Sequence, residues 1–184
     1  MREIDVRAFR RCLGPMLDVY SAAMAPPDDQ IPGRHMIMQR HATYPGFRAF
    51  LAERRRPLGS SVIGFIYGFQ GGSGQWWHDV VDAELSLRLG RQHADSWLAD
   101  AFEVAELHVH PAHQGHGLGR KLLTALCDGR TESTAVLSTL DVHPDTPAKF
   151  LYRSVGFTDL LGRFEFPGGG PPYAVMGAPL PLKN

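Results

Sequence analysis

The segment Gln114-Gly115-His116-Gly117-Leu118-Gly119 places three glycines between an apolar strand pattern and a helical one. Upstream, Phe102 to Val109 reads as a strand that stops at Pro111. Downstream, Leu118, Leu122, Leu123 and Leu126 recur with helical spacing. Glycine has no Cβ, so the backbone of such a turn takes unusual dihedrals and lets a ligand approach its amides. The first amides of a helix have no internal partners and carry the positive end of its dipole. A turn of this kind is a docking place for phosphate.

Two nucleotide readings fail on spacing. A P-loop needs Lys-Ser/Thr after its last glycine, and Gly119 is followed by Arg120-Lys121. The dinucleotide fingerprint needs Gly-x-Gly-x-x-Gly in an early βαβ unit, whereas Gly115-x-Gly117-x-Gly119 has a shorter last step and lies past mid-chain.

The Gln-x-x-Gly-x-Gly order, preceded by Leu107-His108-Val109-His110-Pro111, resembles the acyl-CoA signature of the GNAT N-acetyltransferase superfamily. A second segment, Pro147-Ala148-Lys149-Phe150-Leu151-Tyr152-Arg153-Ser154-Val155-Gly156-Phe157, resembles that family's short Ala-x-x-Leu-Tyr helix ending in Gly-Phe. The family usually has Asn seven residues before the tyrosine; Asp145 stands there, and Asp also caps helices well. The two landmarks cover about the C-terminal half of the chain.

The resemblance implies an α/β (α+β) fold, a mixed, splayed sheet of about seven strands flanked by helices, as a single domain over residues 1–184. It implies transfer of an acetyl group from acetyl-CoA to a primary amine by direct attack in a ternary complex. Neither landmark contains a cysteine that would support an acyl-enzyme. Leu107, His108, Val109, Gln114, Gly115, His116, Gly117, Leu118, Gly119, Arg120 and Lys121 are the implied cofactor-binding residues. The loop amides and Arg120 or Lys121 would take the pyrophosphate, and the Val109 amide the thioester oxygen. Tyr152 is the implied general acid, since a phenol near pKa 10 keeps its proton at neutral pH; the alternative is an aromatic that only packs under the cofactor.

The base is left between two glutamates. Strand alternation puts Glu106 with His108 and His110 on one face and Glu103 on the other. Glu103 matches the catalytic glutamate of histone-type family members by counting back from Gln114. Glu106 lies nearer the strand end and is preferred, acting directly or through water; a water chain without a dedicated base would demote both. Four histidines, His108, His110, His113 and His116, invite a metal reading. Their convergence would consume the amide cradle, so no metal is assigned, and His108 or His110 is read as a relay near the amine.

Elsewhere the pattern predicts a strand over Ile4 to Phe9 and a helix through Leu13, Met16, Leu17 and Tyr20. A second helix is expected from Gly33 to about His41. Phe47 to Arg54 and Ser61 to Phe69 read as a hairpin across the polar Arg54–Gly59 turn. Residues 70–99 read as a helical insertion. Its Trp76, Trp77 and His78 are substrate-binding candidates, against the alternative that both tryptophans pack the insertion onto the sheet. Asp79, Asp82 and Glu84 suit either attraction of a cationic amine or a solvated helix face. Ala135 to Leu140 reads as a strand, Thr146-Pro147 as a helix start, and Thr158 to Met176 as a closing hairpin with a surface tail from Ala178.

Composition sets bounds. At 184 residues with 43% apolar residues the chain is long enough for one packed core. Nineteen basic side chains balance nineteen acidic ones, so neither nucleic acid nor an anionic membrane is an expected partner. The start has no signal-type apolar core, and Cys12 and Cys127 are isolated, which together suggest buried, reduced thiols in a cytoplasmic protein. The acceptor is expected to be a small-molecule amine or a peptide, and the family's habit of dimerising leaves a homodimer open by analogy. The rival readings are a non-catalytic acyl-CoA-binding or sensing module, and a transferase of longer acyl groups.

Overall fold

The computed structural model describes residues 1–57 and 59–183; Leu58, inside the expected Arg54–Gly59 turn, and Asn184 lie outside the described residues. In chain order the elements are β1 (Arg2–Ile4), α1 (Val6–Arg11), α2 (Leu13–Met24), α3 (Ile31–His41), β2 (Arg48–Arg56), β3 (Gly59–Gln70), α4 (Trp76–Leu89), α5 (Arg91–Leu98), β4 (Ala101–Val109), α6 (Leu118–Cys127), β5 (Thr134–Leu140), α7 (Pro147–Arg153), β6 (Thr158–Phe164) and β7 (Tyr173–Pro179). The strands form one seven-stranded sheet in the order β1-β2-β3-β4-β5-β7-β6. β4 and β5 run parallel, paired from Ala101↔Thr134 to Glu103↔Val136, while β1–β2, β2–β3, β5–β7 and β6–β7 are antiparallel. The expected mixed α/β fold and the helical insertion, here the two helices α4 and α5, are both present.

The chain divides into two compact units, residues 1–69 with 104–126, and residues 70–103 with 127–184. In the first, Leu13, Met16 and Leu17 on α2 share one face by their three- and four-residue spacing, and they are buried with Phe9, Met38, Leu51, Phe65, Tyr67 and Phe69. The expected strand over Ile4 to Phe9 is corrected. Its β-like residues are interrupted by Asp5, whose carboxylate accepts from the Ala8 amide at 2.6 Å and caps α1. Only Arg2–Ile4 pairs with β2. α3 starts two residues earlier than expected, with Pro32 in its first turn, where a missing N–H costs nothing.

In the second unit, Val81, Leu85, Ala94 and Leu98 from α4 and α5 are buried with Val136, Leu161, Phe164 and Val175. Gly177 on β7 is a place where only hydrogen fits, since a Cβ there would lie 2.7 Å from Trp97 Cε3. The tail expected on the surface from Ala178 is also corrected. β7 continues to Pro179 because its amides complete the ladder with β5, and Ala178 is buried opposite Ala135. Cys127 is buried as expected, but Cys12, at the junction of α1 and α2, is only half-buried; neither is in a disulfide. Among the described residues, no helix is long and apolar enough to cross a membrane.

Candidate active site

The glycine-rich turn is built from its own side chains. Gln114 donates its amide to the Val109 carbonyl at 2.8 Å, tying the loop to the end of β4. The His116 ring donates through Nδ1 to the Gln114 carbonyl at 2.7 Å, and His110 Nδ1 accepts from the Ala112 amide at 3.2 Å. Gly115 and Gly117 take φ of 77° and 74°, in the left-handed region that disfavours a Cβ. The first bond of α6 runs from the Lys121 amide to the Gly117 carbonyl, so the Leu118 and Gly119 amides lie ahead of the helical ladder. Arg120 and Lys121 are exposed beside them.

The end of β4 has a defined polarity. The His110 amide bonds the Ile63 carbonyl on β3 at 2.9 Å. Since successive strand amides point to opposite edges, the Val109 amide faces away from β3. The sequence motif therefore puts that amide on the edge opposite the β2–β3 hairpin. Gly64 admits this close approach of β3, for a Cβ there would stand 3.1 Å from the His108 carbonyl oxygen.

Glu106 and His108 share a face of β4, as alternation predicts, and form a pair. His108 Nε2 lies 2.5 Å from Glu106 Oε2, and Arg34 Nη1 on α3 lies 2.7 Å from Glu106 Oε1. Burial pushes the Glu106 carboxyl up, but the hydrogen bond from His108 and the charge of Arg34 outweigh it and hold the group below the usual range. Arg34 loses solvation too, yet Glu106 and Tyr20 leave it more firmly protonated than an ordinary arginine. Its guanidinium lies 5.0 Å from the centre of the Tyr20 ring on α2. Behind this group, His41 Nδ1 meets the Tyr67 hydroxyl at 3.1 Å, and burial pushes the His41 imidazole down to about 4.

Glu103 has a different environment. Its side chain is buried, no hydrogen bond reaches Oε2 among the described residues, and burial pushes its carboxyl up to about 8. At neutral pH it holds its proton. The two glutamates that alternation separated therefore differ in charge as well as in face.

In the second unit, Tyr152 is buried on α7 with its ring 5.7 Å from Phe157. Thr146 caps that helix, accepting from the Lys149 amide at 3.2 Å, as Thr146-Pro147 suggested. Trp77 donates its indole N–H to Ser138 on β5 at 3.1 Å and packs on the core of this unit. Trp76 is 55% exposed, with its ring 5.5 Å from Phe166. His78 is largely covered and lies 3.4 Å from Asp79. The nearby acids are engaged locally. Asp79 accepts from the Gly74 amide, Asp82 pairs with Arg91, and Glu84 pairs with Arg88.

No functional role was read from the sequence for Arg34, His41, Tyr20 or Tyr67. The one signal available was a polar residue, Arg34, one turn into an otherwise unremarkable helix, and it does not name a partner 72 residues away.

Solved structures define the class of fold. A GNAT-family protein from Desulfovibrio desulfuricans superposes with a TM-score of 0.62 at 12% identity, covering 92% of each chain. YncA of Salmonella typhimurium, solved with acetyl-CoA, superposes with a TM-score of 0.59 at 21% identity, covering 97% of this chain and 92% of that one. The family model described as the acetyltransferase (GNAT) domain matches residues 45–159, and the chain belongs to the GNAT acetyltransferase family. A GCN5-like protein acetyltransferase of Mycobacterium tuberculosis is 39% identical over 124 residues. The match covers 66% of this chain, which spans about 60% of that relative's length.

Proposed function

We propose that residues 1–184 act as one acetyl-CoA-dependent N-acetyltransferase domain, moving an acetyl group to a primary amine by direct attack in a ternary complex. The geometry of the Val109–Lys121 segment carries this reading. Two positive-φ glycines in an exposed turn, helix-start amides and two flanking cations are the parts that a pyrophosphate requires. A Cβ at Gly115 or Gly117 would stand in open space, and both residues are exposed. When bound, acetyl-CoA supplies an activated acetyl thioester.

The residues of the chain then divide the work. The loop from Gln114 to Gly119, with Arg120 and Lys121, holds the diphosphate. The Val109 amide donates to the thioester oxygen, a fixed dipole that needs no reorganisation. Tyr152 gives its phenolic proton to the departing sulfur, by its position in the second landmark. An amine near pKa 10.4 must lose a proton before attack, and the Glu106–His108 pair on β4 receives it. Glu103, neutral at pH 7, is the alternative acceptor only once it has ionised. Trp76 and His78 remain candidate acceptor contacts, while the bond from Trp77 to Ser138 favours a packing role for Trp77.

The acceptor is a small-molecule amine or an amine on a peptide. The description of the Mycobacterium relative as a protein acetyltransferase adds weight to the second. A cytoplasmic location suits two cysteines outside any disulfide and the balanced charge. The test has two parts: calorimetric titration with CoA and acetyl-CoA, and thiol-release assays over polyamines, aminoglycosides, amino acids and lysine peptides. Binding with turnover of at least one amine supports the reading. Binding without turnover of any amine would leave a CoA-binding module, and preference for longer thioesters would change the acyl group.

A further inference from the structure

We propose that His108, rather than Glu106 itself, takes the proton from the attacking amine, with Glu106 and Arg34 as positioning residues; this rests on the acetyltransferase reading above. Both oxygens of the Glu106 carboxylate already accept hydrogen bonds, one from Arg34 Nη1 and one from His108 Nε2. Each oxygen keeps a second lone pair, but the two donors and the charge of Arg34 stabilise the ionised carboxylate and make it a weak base. The imidazole offers a better place. An ionised carboxylate has no proton to give, so the atom facing it, Nε2, carries the hydrogen. The lone pair of neutral His108 is then on Nδ1, for which no hydrogen bond is recorded among the described residues.

The ring is held on three sides. Tyr20 on α2 meets it edge-on, with centroids 5.1 Å apart at 89°. Phe65 on β3 lies 5.4 Å away at 44°, and Glu106 secures the Nε2 edge. With the side chain only 11% exposed, the imidazole cannot swing to exchange its two nitrogens. Arg34 in turn lies against Tyr20, so a single shift of α3 would disturb both the carboxylate and the aromatic wall.

The proton balance is simple. The amine N–H bond breaks, its electron pair stays on nitrogen for attack, and the proton passes to Nδ1 directly or through one water. The resulting imidazolium donates from Nε2 to Glu106, and Nδ1 returns its proton to solvent after turnover. Arg34 holds Oε1, which fixes the carboxylate with Oε2 against the His108 ring. The other titratable groups facing the cluster are His41 and Arg40 on α3, Tyr20 on α2 and Tyr67 on β3; His41 is neutral, and Arg40 acts on it from outside.

The test is nitrogen-15 NMR of the histidine rings in the full chain, without ligand, with His108→Gln used only to assign its resonances. Wild-type His108 should be the Nε2–H tautomer when neutral. In Arg34→Met the acid limb of kcat/KM should move up by about one unit, costing about fivefold at the wild-type midpoint of that limb, with CoA affinity unchanged and partial rescue by Arg34→Lys. An Nδ1–H tautomer in the wild type, which needs no variant to fold, would overturn the inference. So would an unmoved limb in Arg34→Met. Absence of turnover with every amine, beside the expected tautomer, would instead remove the acetyltransferase reading and the catalytic role of His108 with it.

Discussion

Lys149 and Asp141 form a buried ion pair, Nζ to Oδ1 at 2.6 Å, that ties the first turn of α7 to the residue following β5. Lys149 holds the Asp141 carboxyl below its ordinary range, and the Arg163 amide adds to that by donating to Oδ2 at 2.8 Å. Arg163 has φ of 46°, a conformation that this hydrogen bond helps to hold. The pair thus fixes the helix that carries Tyr152. Asp141→Asn would leave a buried ammonium without its counter-charge, at a cost of about 3 kcal/mol in chemical denaturation. The double replacement Asp141→Leu with Lys149→Met should recover most of that loss. Equal stability of Asp141→Asn and wild type would show that the pair contributes nothing.

Stability should respond to pH through two buried groups of opposite sign. Glu103, raised to about 8 in the fold, stabilises the protein fully below its unfolded pKa and ceases to do so as pH rises towards 8. His41, lowered to about 4, destabilises as pH falls from 6.5 towards 4. Their slopes oppose each other between about pH 4.5 and 6.5, and above that Glu103 acts alone. Glu103→Gln should therefore be more stable than wild type at pH 8 by a few kcal/mol, and equal to it near pH 4. Thermal melts across this range would decide the matter, and parallel curves for the two proteins would refute it.

Gly117, at φ 74°, should tolerate alanine poorly and valine less well. Because a Cβ there meets nothing within 4 Å, the strain is in the backbone alone. Gly117→Val is expected to cost about 1–2 kcal/mol of stability. If the amides of this turn hold the diphosphate, its CoA affinity should fall by about tenfold or more, the equivalent of 1.4 kcal/mol. Calorimetric titration reads this directly, and unchanged affinity would place the diphosphate elsewhere.

Tyr152→Phe removes one hydroxyl from a buried ring that packs beside Phe157. As loss of a general acid, it should lower kcat by about 10²-fold or more while leaving CoA affinity close to wild type. Full activity would reduce Tyr152 to a packing aromatic. A loss that falls on affinity and not on kcat would assign its hydroxyl to cofactor binding.

The parts of the candidate site legible in the sequence are those whose signals are local. The Gly115 and Gly117 turn, the start of α6 and the Thr146 cap each depend on residues within one or two turns of chain. The shared face of Glu106 and His108 follows from strand alternation over two positions. Strand limits were less legible where a cap competes with a β-like run. Asp5 ended β1 after Ile4, and ladder pairing carried β7 past Ala178.

The sequence by itself determined the glycine-rich turn and the start of the tyrosine helix, because each is written in contiguous residues whose backbone preferences act locally, and the class of fold followed from the resemblance that these two landmarks carry. Only the tertiary structure decided which carboxylate is charged. Arg34 reaches Glu106 from 72 residues away, and Tyr20 and Phe65 close around His108 from α2 and β3. Glu103, three positions earlier on β4, is buried without such a partner and keeps its proton. Two identical side chains three positions apart differ because charge in a protein interior depends on desolvation and on partners, and neither is a property of the local chain.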